Sequence, residues 1–226
     1  MFKRSINLIA ELALQNVKNK IIIGLGSGAT VALFTKMLGK YIKKQKFDIM
    51  VIPSSIQILI IAEKAGLTTT QLIDHIDLVV DGADIIDKDY NMIKGGGGAL
   101  FKEKILMNAG KKVIVLADES KFVNILDKPI PVEVNPFSRS LVIDRLLKMD
   151  AHPKLRVLKK GFPYITENGN LILDVDFGLI REPMKLEKEI KLISGVVEVG
   201  LFTNKINIFY KANVNGTTQI IEPLKT

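Results

Sequence analysis

Residues 76–84 read Ile76-Asp77-Leu78-Val79-Val80-Asp81-Gly82-Ala83-Asp84, IDLVVDGAD. The apolar run Leu78-Val79-Val80 does not alternate with polar residues. That predicts a strand covered on both faces, as in a parallel sheet between helices. A second run of the same kind, KVIVLAD over 112–118, predicts another such strand. Working outward, Ile21-Ile22-Ile23 and Ile49 to Ile52 also read as strands. Helical patterns over 5–18, 30–44, 55–65 and 99–109 alternate with them, with Ser54 as a candidate N-cap and Gly110 as a candidate C-cap. Strands and helices in alternation predict an α/β fold with a helix-flanked, mostly parallel, Rossmann-like sheet.

The pattern changes after Lys128-Pro129-Ile130-Pro131. From Val132 the order is strand, helix (138–149), strand (154–159), a strand pair around Asn168-Gly169, helix (183–193) and strand (196–202). That order matches a smaller ferredoxin-like α+β domain inserted near the C-terminus. The tail NIFYKANVNGTTQIIE, 207–222, reads as strands returning to the first domain. The expected organisation is therefore a discontinuous catalytic α/β domain, 1–129 and 204–226, with a small α+β domain at 130–203.

Composition bounds the chemistry. The 226 residues are 47% hydrophobic with no cysteine and two histidines, which excludes disulfides and thiolate catalysis and disfavours a His-rich metal site. No apolar run reaches the roughly 18 residues needed to span a bilayer, and the opening MFKRSINLIAELALQNVKNK lacks a signal-peptide core. A cytoplasmic protein with no membrane partner is expected. The net charge of +8 raises nucleic acid as a partner, but only 5 of 32 basic residues are Arg and the lysines are scattered. No nucleic-acid partner is expected, and a small anionic substrate suits the sign equally well.

In open α/β sheets ligands bind at the carboxyl ends of the strands. After the first strand comes Gly24-Leu25-Gly26-Ser27-Gly28-Ala29-Thr30, whose glycines, hydroxyls and following helix make a phosphate cradle. A nicotinamide site would place an acid after the second strand, where Pro53-Ser54-Ser55 stands instead. After the strand at 76–81, Asp81 and Asp84 flank the small pair Gly82-Ala83, so both carboxylates can face one pocket and serve proton transfer. An acidic turn is the bland reading of the same residues.

Further along, Lys94-Gly95-Gly96-Gly97-Gly98 leads into the helix at 99–109. On that helix Glu103 has Ala99, Leu100, Leu106 and Met107 at i−4, i−3, i+3 and i+4, all apolar. A desolvated carboxylate there suits abstraction of a carbon-bound proton, with Lys94 supplying positive charge to an enolate oxygen without a metal. Asp118-Glu119-Ser120-Lys121 closes the set, with Lys121 able to meet a phosphate.

These pieces in this order resemble the ribose-5-phosphate isomerase family of the A type. The resemblance rests on GLGSGAT, VVDGADIID, KGGGGALFKEK, LADESK, PIPVEV, ITENGNLILDV and SGVVEVGLF, and it runs from about residue 20 to about 205. It implies cofactor-free and metal-free interconversion of ribose 5-phosphate and ribulose 5-phosphate in the non-oxidative pentose phosphate pathway. Glu103 is then the base, Asp81 opens the furanose or moves a hydroxyl proton, and Asp84 and Lys94 stabilise the enediolate oxygens. Ser27, Gly28, Ala29, Thr30, Gly82, Ala83, Gly95, Gly96, Gly97 and Lys121 surround the sugar phosphate, and the chain assembles as a homodimer or tetramer. The family usually has GTGST and DGADE, whereas this chain has Ala29 and Ile85. A sugar-phosphate-sensing module and an NAD-dependent oxidoreductase are the alternative functions. The sensing module is disfavoured by the roughly 20 residues before the first strand, too few for a helix-turn-helix.

Overall fold

The continuous apolar runs do form neighbouring buried strands. The computed structural model describes residues 2–72, 74–203 and 206–223. The chain divides into two compact units, one of 1–83, 102–121 and 204–226, the other of 84–101 and 122–203.

The first unit carries a seven-stranded sheet. Its spatial order is Thr218–Ile221, Ile208–Ala212, Val113–Asp118, Leu78–Gly82, Ile22–Leu25, Met50–Pro53 and Thr68–Thr69. Every neighbouring pair is parallel except the first, which is antiparallel. The tail therefore returns to this sheet. Leu78, Val79 and Val80 are all buried, as are Val113 to Ala117, because helices cover the strands. The helix Phe2–Leu14 buries Ile9, Ala10 and Ala13, and Ala29–Gln45 buries Val31, Phe34 and Leu38, in one core with Ile23, Leu25, Ile114 and Leu116. The helix Ile56–Lys64 is capped by Ser55 rather than Ser54: the Ser55 hydroxyl accepts from the Ile58 amide at 3.3 Å. The parallel strands put the segments after Leu25, Gly82 and Asp118 at the same end of the sheet.

The second unit has a four-stranded antiparallel sheet in the order Val196–Val199, Ile130–Val134, Leu171–Asp176 and His152–Leu155. With helices Arg139–Leu147 and Pro183–Lys191 after its first and third strands, this is the ferredoxin-like arrangement. Val132, Val134, Val142, Leu146, Leu173 and Ile190 form its core. The run 196–202 is not one strand. It breaks at Gly200, and Leu201–Phe202 joins a separate three-stranded sheet with Met92–Ile93 and Ile85–Ile86. That pairing is why 84–101 groups with this unit instead of the first. The Asn168-Gly169 turn is present, but its leading arm forms no strand and makes only isolated bridges, Ile165 to Leu171 and Pro163 to Val157. The expected domain limits Asn204 and Thr226 lie outside the described residues. Among those residues no helix is long and apolar enough to cross a membrane.

Candidate active site

Within the first unit, the carboxyl ends of three neighbouring strands bring several of the expected residues together. Asp81 is fully buried near the end of Leu78–Gly82. Its Oδ1 accepts from the Gly82 amide at 2.7 Å and from the Ser27 amide at 3.3 Å. The Ser27 hydroxyl in turn donates a short hydrogen bond to Glu103 Oε1. Ser27 thus bridges two carboxylates, one through its amide and one through its side chain.

Glu103 sits in the first turn of Leu100–Ala109 and is 3% exposed, with Leu100, Leu106 and Met107 also buried. The carboxylate therefore stands on the buried side of its helix, together with these apolar neighbours. Gly26 makes the close approach possible. Its amide donates to Val80 O at 2.9 Å, and a methyl group there would lie 1.8 Å from Asp81 Oδ1.

The expected cradle segment leads directly into a helix. Gly28 precedes the helix Ala29–Gln45 with φ 89° and ψ −179°, a region open almost only to glycine. It provides no capping side chain, so the first-turn amides from Ala29 onward keep their capacity to meet an anion. Thr30 lies in that first turn, and Ala29 is exposed at its start. Lys121 ends a short 3-10 turn after Val113–Asp118, the strand next to the one that carries Asp81.

Within the second unit, Asp84 Oδ2 accepts from the Gly96 amide at 2.8 Å, and the Asp84 amide donates to Ile93 O at 3.1 Å. Lys94 is 3% exposed. Its amide donates to Gly200 O at 2.9 Å, and its ammonium lies 5.5 Å from the centre of the Phe202 ring. The glycine loop turns between Gly95 and Gly98, with φ 102° and 81°, and the Gly98 amide closes on Gly95 O at 3.0 Å.

Sequence reasoning missed three residues around that loop. Arg156 Nη1 donates to Gly95 O at 2.8 Å and Gly96 O at 3.2 Å. Its other donors form a fork with Asp174, at 2.9 Å from Nε and shorter from Nη2. The Tyr164 hydroxyl donates to Gly97 O at 2.9 Å, and burial pushes its phenol up from the ordinary value, against the pull of the Arg156 cation. No signal in the sequence singles them out, because what Arg156 and Tyr164 hold at the loop are backbone carbonyls. Among the described residues no group of three His, Asp or Glu is arranged to hold a metal ion.

The comparisons with known proteins converge on one family. A sequence model of "Ribose 5-phosphate isomerase A (phosphoriboisomerase A)" matches residues 50–216. The chain belongs to the ribose 5-phosphate isomerase A family. It is 46% identical to ribose-5-phosphate isomerase A of Archaeoglobus fulgidus over 201 residues, covering 87% of this chain and 89% of that protein. To the Methanosarcina acetivorans protein of the same name it is 41% identical, covering 91% and 88%. The solved structure of ribose 5-phosphate isomerase A from Methanocaldococcus jannaschii superposes with a TM-score of 0.92 at 35% identity, over 98% of this chain and 100% of that one. A D-ribose-5-phosphate isomerase solved in complex with phospho-erythronic acid gives 0.92 at 36% identity, over 97% and 98%.

The family's usual acid after DGAD is Ile85 in this isomerase-family chain. Ile85 pairs with Ile93 and packs against the core of the second unit, so the change exchanges a charge for apolar burial.

Proposed function

We infer that this chain interconverts D-ribose 5-phosphate and D-ribulose 5-phosphate through an enediolate, in the non-oxidative pentose phosphate pathway. The carrying observation is the enclosed Glu103 carboxylate held by Ser27 beside the phosphate cradle. In the open-chain aldose, Glu103 takes the proton from C2, leaving an enediolate with its charge shared between the oxygens on C1 and C2. It then returns the proton to C1 while the proton on the C2 hydroxyl is transferred to the C1 oxygen, giving the ketose. Asp81 opens the furanose or moves that hydroxyl proton, and Asp84 and Lys94 orient and stabilise the enediolate oxygens. Ser27, Gly28, Ala29 and Thr30, with Lys121, take the phosphate, and Gly82, Ala83 and Gly95 to Gly97 line the sugar. Lys94 supplies the positive charge that a metal would otherwise bring, so the proposed chemistry needs neither metal nor organic cofactor.

Two further supports are independent of Glu103. One relative is solved in complex with phospho-erythronic acid, a phosphorylated sugar acid, which fits a site for a sugar phosphate. The end of the second strand, Pro53-Ser54-Ser55, offers no acid for a nicotinamide ribose, which disfavours the oxidoreductase. The same reading makes the protein cytoplasmic and a homodimer or tetramer. Incubating the purified protein with ribose 5-phosphate and following ribulose 5-phosphate tests it, since conversion no faster than that of Glu103→Gln would sink it.

A further inference from the structure

Four consecutive glycines lose more backbone freedom on ordering than any other run of the same length. In this loop the order comes from side chains far along the chain. The carbonyls of Gly95, Gly96 and Gly97 all accept from Arg156 or Tyr164. Arg156 is itself locked, its fork filled by Asp174 and its guanidinium 5.9 Å from the centre of the Tyr164 ring.

One peptide unit in this arrangement is held at both ends. The carbonyl of Gly95 and the amide of Gly96 belong to the same planar trans unit and point in opposite directions. Arg156 Nη1 takes the oxygen at 2.8 Å, and Asp84 Oδ2 takes the N–H at 2.8 Å. Fixing the oxygen therefore aims the N–H at the carboxylate, and a cation on the oxygen polarises the peptide and makes that N–H a stronger donor.

We propose that Arg156 is a positioning residue for Asp84, acting through the Gly95–Gly96 peptide. Arg156 touches no reacting atom in this account. Asp174 holds the guanidinium, the guanidinium holds the peptide, and the peptide holds one oxygen of Asp84 in place. Tyr164 does the equivalent for the next-but-one peptide, Gly97–Gly98, whose N–H closes the turn on Gly95 O. The sequence hides this because the acceptors are backbone carbonyls and the donors lie 60 to 67 residues further along the chain. The proposal deepens the isomerase reading and rests on it for the role of Asp84.

The test is a double-mutant cycle joined to amide exchange. Arg156→Gln is expected to lower kcat by about 10- to 100-fold with KM changed less than about threefold, since a misplaced group loses rate before binding. In an Asp84→Asn background the same change is expected to cost less than about threefold, because the group it positions is already lost. Hydrogen exchange of the substrate-free protein should be at least about tenfold faster at Gly96 in Arg156→Gln, and faster at Gly98 rather than Gly96 in Tyr164→Phe. Additive losses from Arg156→Gln and Asp84→Asn, or unchanged exchange at Gly96, would overturn the proposal. If Arg156→Gln does not fold, Arg156→Lys, which keeps the charge without the fork, is read in the same way. A wild type that does not turn over ribose 5-phosphate would sink the isomerase reading alone, and exchange at Gly96 would still decide whether Arg156 holds the peptide.

Discussion

In Gly26→Ala, the added methyl would lie 1.8 Å from Asp81 Oδ1, 1.9 Å from Cγ and 2.6 Å from Oδ2. Ordinary van der Waals contact begins near 3.4 Å, so the carboxylate must retreat by about 1.6 Å, the difference between 3.4 and 1.8 Å. The backbone cannot take up this movement cheaply, because the Gly26 amide is bonded to Val80 O at 2.9 Å. Asp81 would leave its bonds to the Ser27 and Gly82 amides, and Ser27 would lose part of what orients it toward Glu103. A misplacement of about 1 Å can cost a hundredfold in rate, so kcat should fall about 100-fold or more, or about 2.7 kcal/mol of barrier. Overpacking should also lower stability by about 1–3 kcal/mol, several degrees in Tm for a chain of this size. The assay is kcat and KM from ribulose 5-phosphate formation, beside a circular-dichroism melt. A folded variant with kcat within about threefold of wild type would refute the reasoning. So would a rate loss that persists undiminished in an Asp81→Ala background, where the clash is gone.

Other outcomes are expected from the same structure. Glu103→Gln should lower kcat by about 10²- to 10⁴-fold with KM nearly unchanged, and a defect confined to KM would assign Glu103 to binding instead of proton transfer. Tyr164 has a phenol pKa raised by burial above its ordinary 10.0, so its contribution to stability is complete below that value and is lost as pH rises through the higher folded value. The tyrosinate absorbance missing from Tyr164→Phe should therefore titrate above pH 10, and a midpoint at or below 10 would contradict the burial argument. Burial opposes ionisation of Asp77, but the Ile22 amide at 3.0 Å, with Lys111 and His75, outweighs it and lowers its pKa below 3.8. That stabilisation is present above pH 3.8 and disappears as pH falls through the folded value, so Asp77→Asn should flatten the acid limb of Tm against pH. Coincident limbs would show that these bonds carry no net preference.

The parts of the fold that could be read in advance were those where burial leaves a mark on composition. IDLVVD and KVIVLAD announce doubly covered strands because a strand between two helix layers cannot tolerate polar alternation. Glu103 was legible for a similar reason, since four apolar neighbours at helical spacing enclose whatever stands between them. Backbone partnerships leave no such mark. Arg156 and Tyr164 bond to carbonyls that every residue possesses, and nothing near the glycines points to them. The break at Gly200 was hidden because VVEVGLF is apolar apart from Glu198 and reads as one strand, although a methyl at Gly200 would lie 2.5 Å from Lys94 O. Ser55 replaced Ser54 as the cap through a one-residue difference that spacing does not resolve, both being serines.

Proton transfer through an enediolate is tested most directly by running the reaction in D₂O and examining C1 of the ribulose 5-phosphate by NMR. Transfer by a carboxylate base should place solvent deuterium on that carbon in the wild type, with the incorporation rate falling in parallel with turnover in Glu103→Gln. Turnover and deuterium incorporation that continue at the wild-type rate in Glu103→Gln would contradict the account built on Glu103.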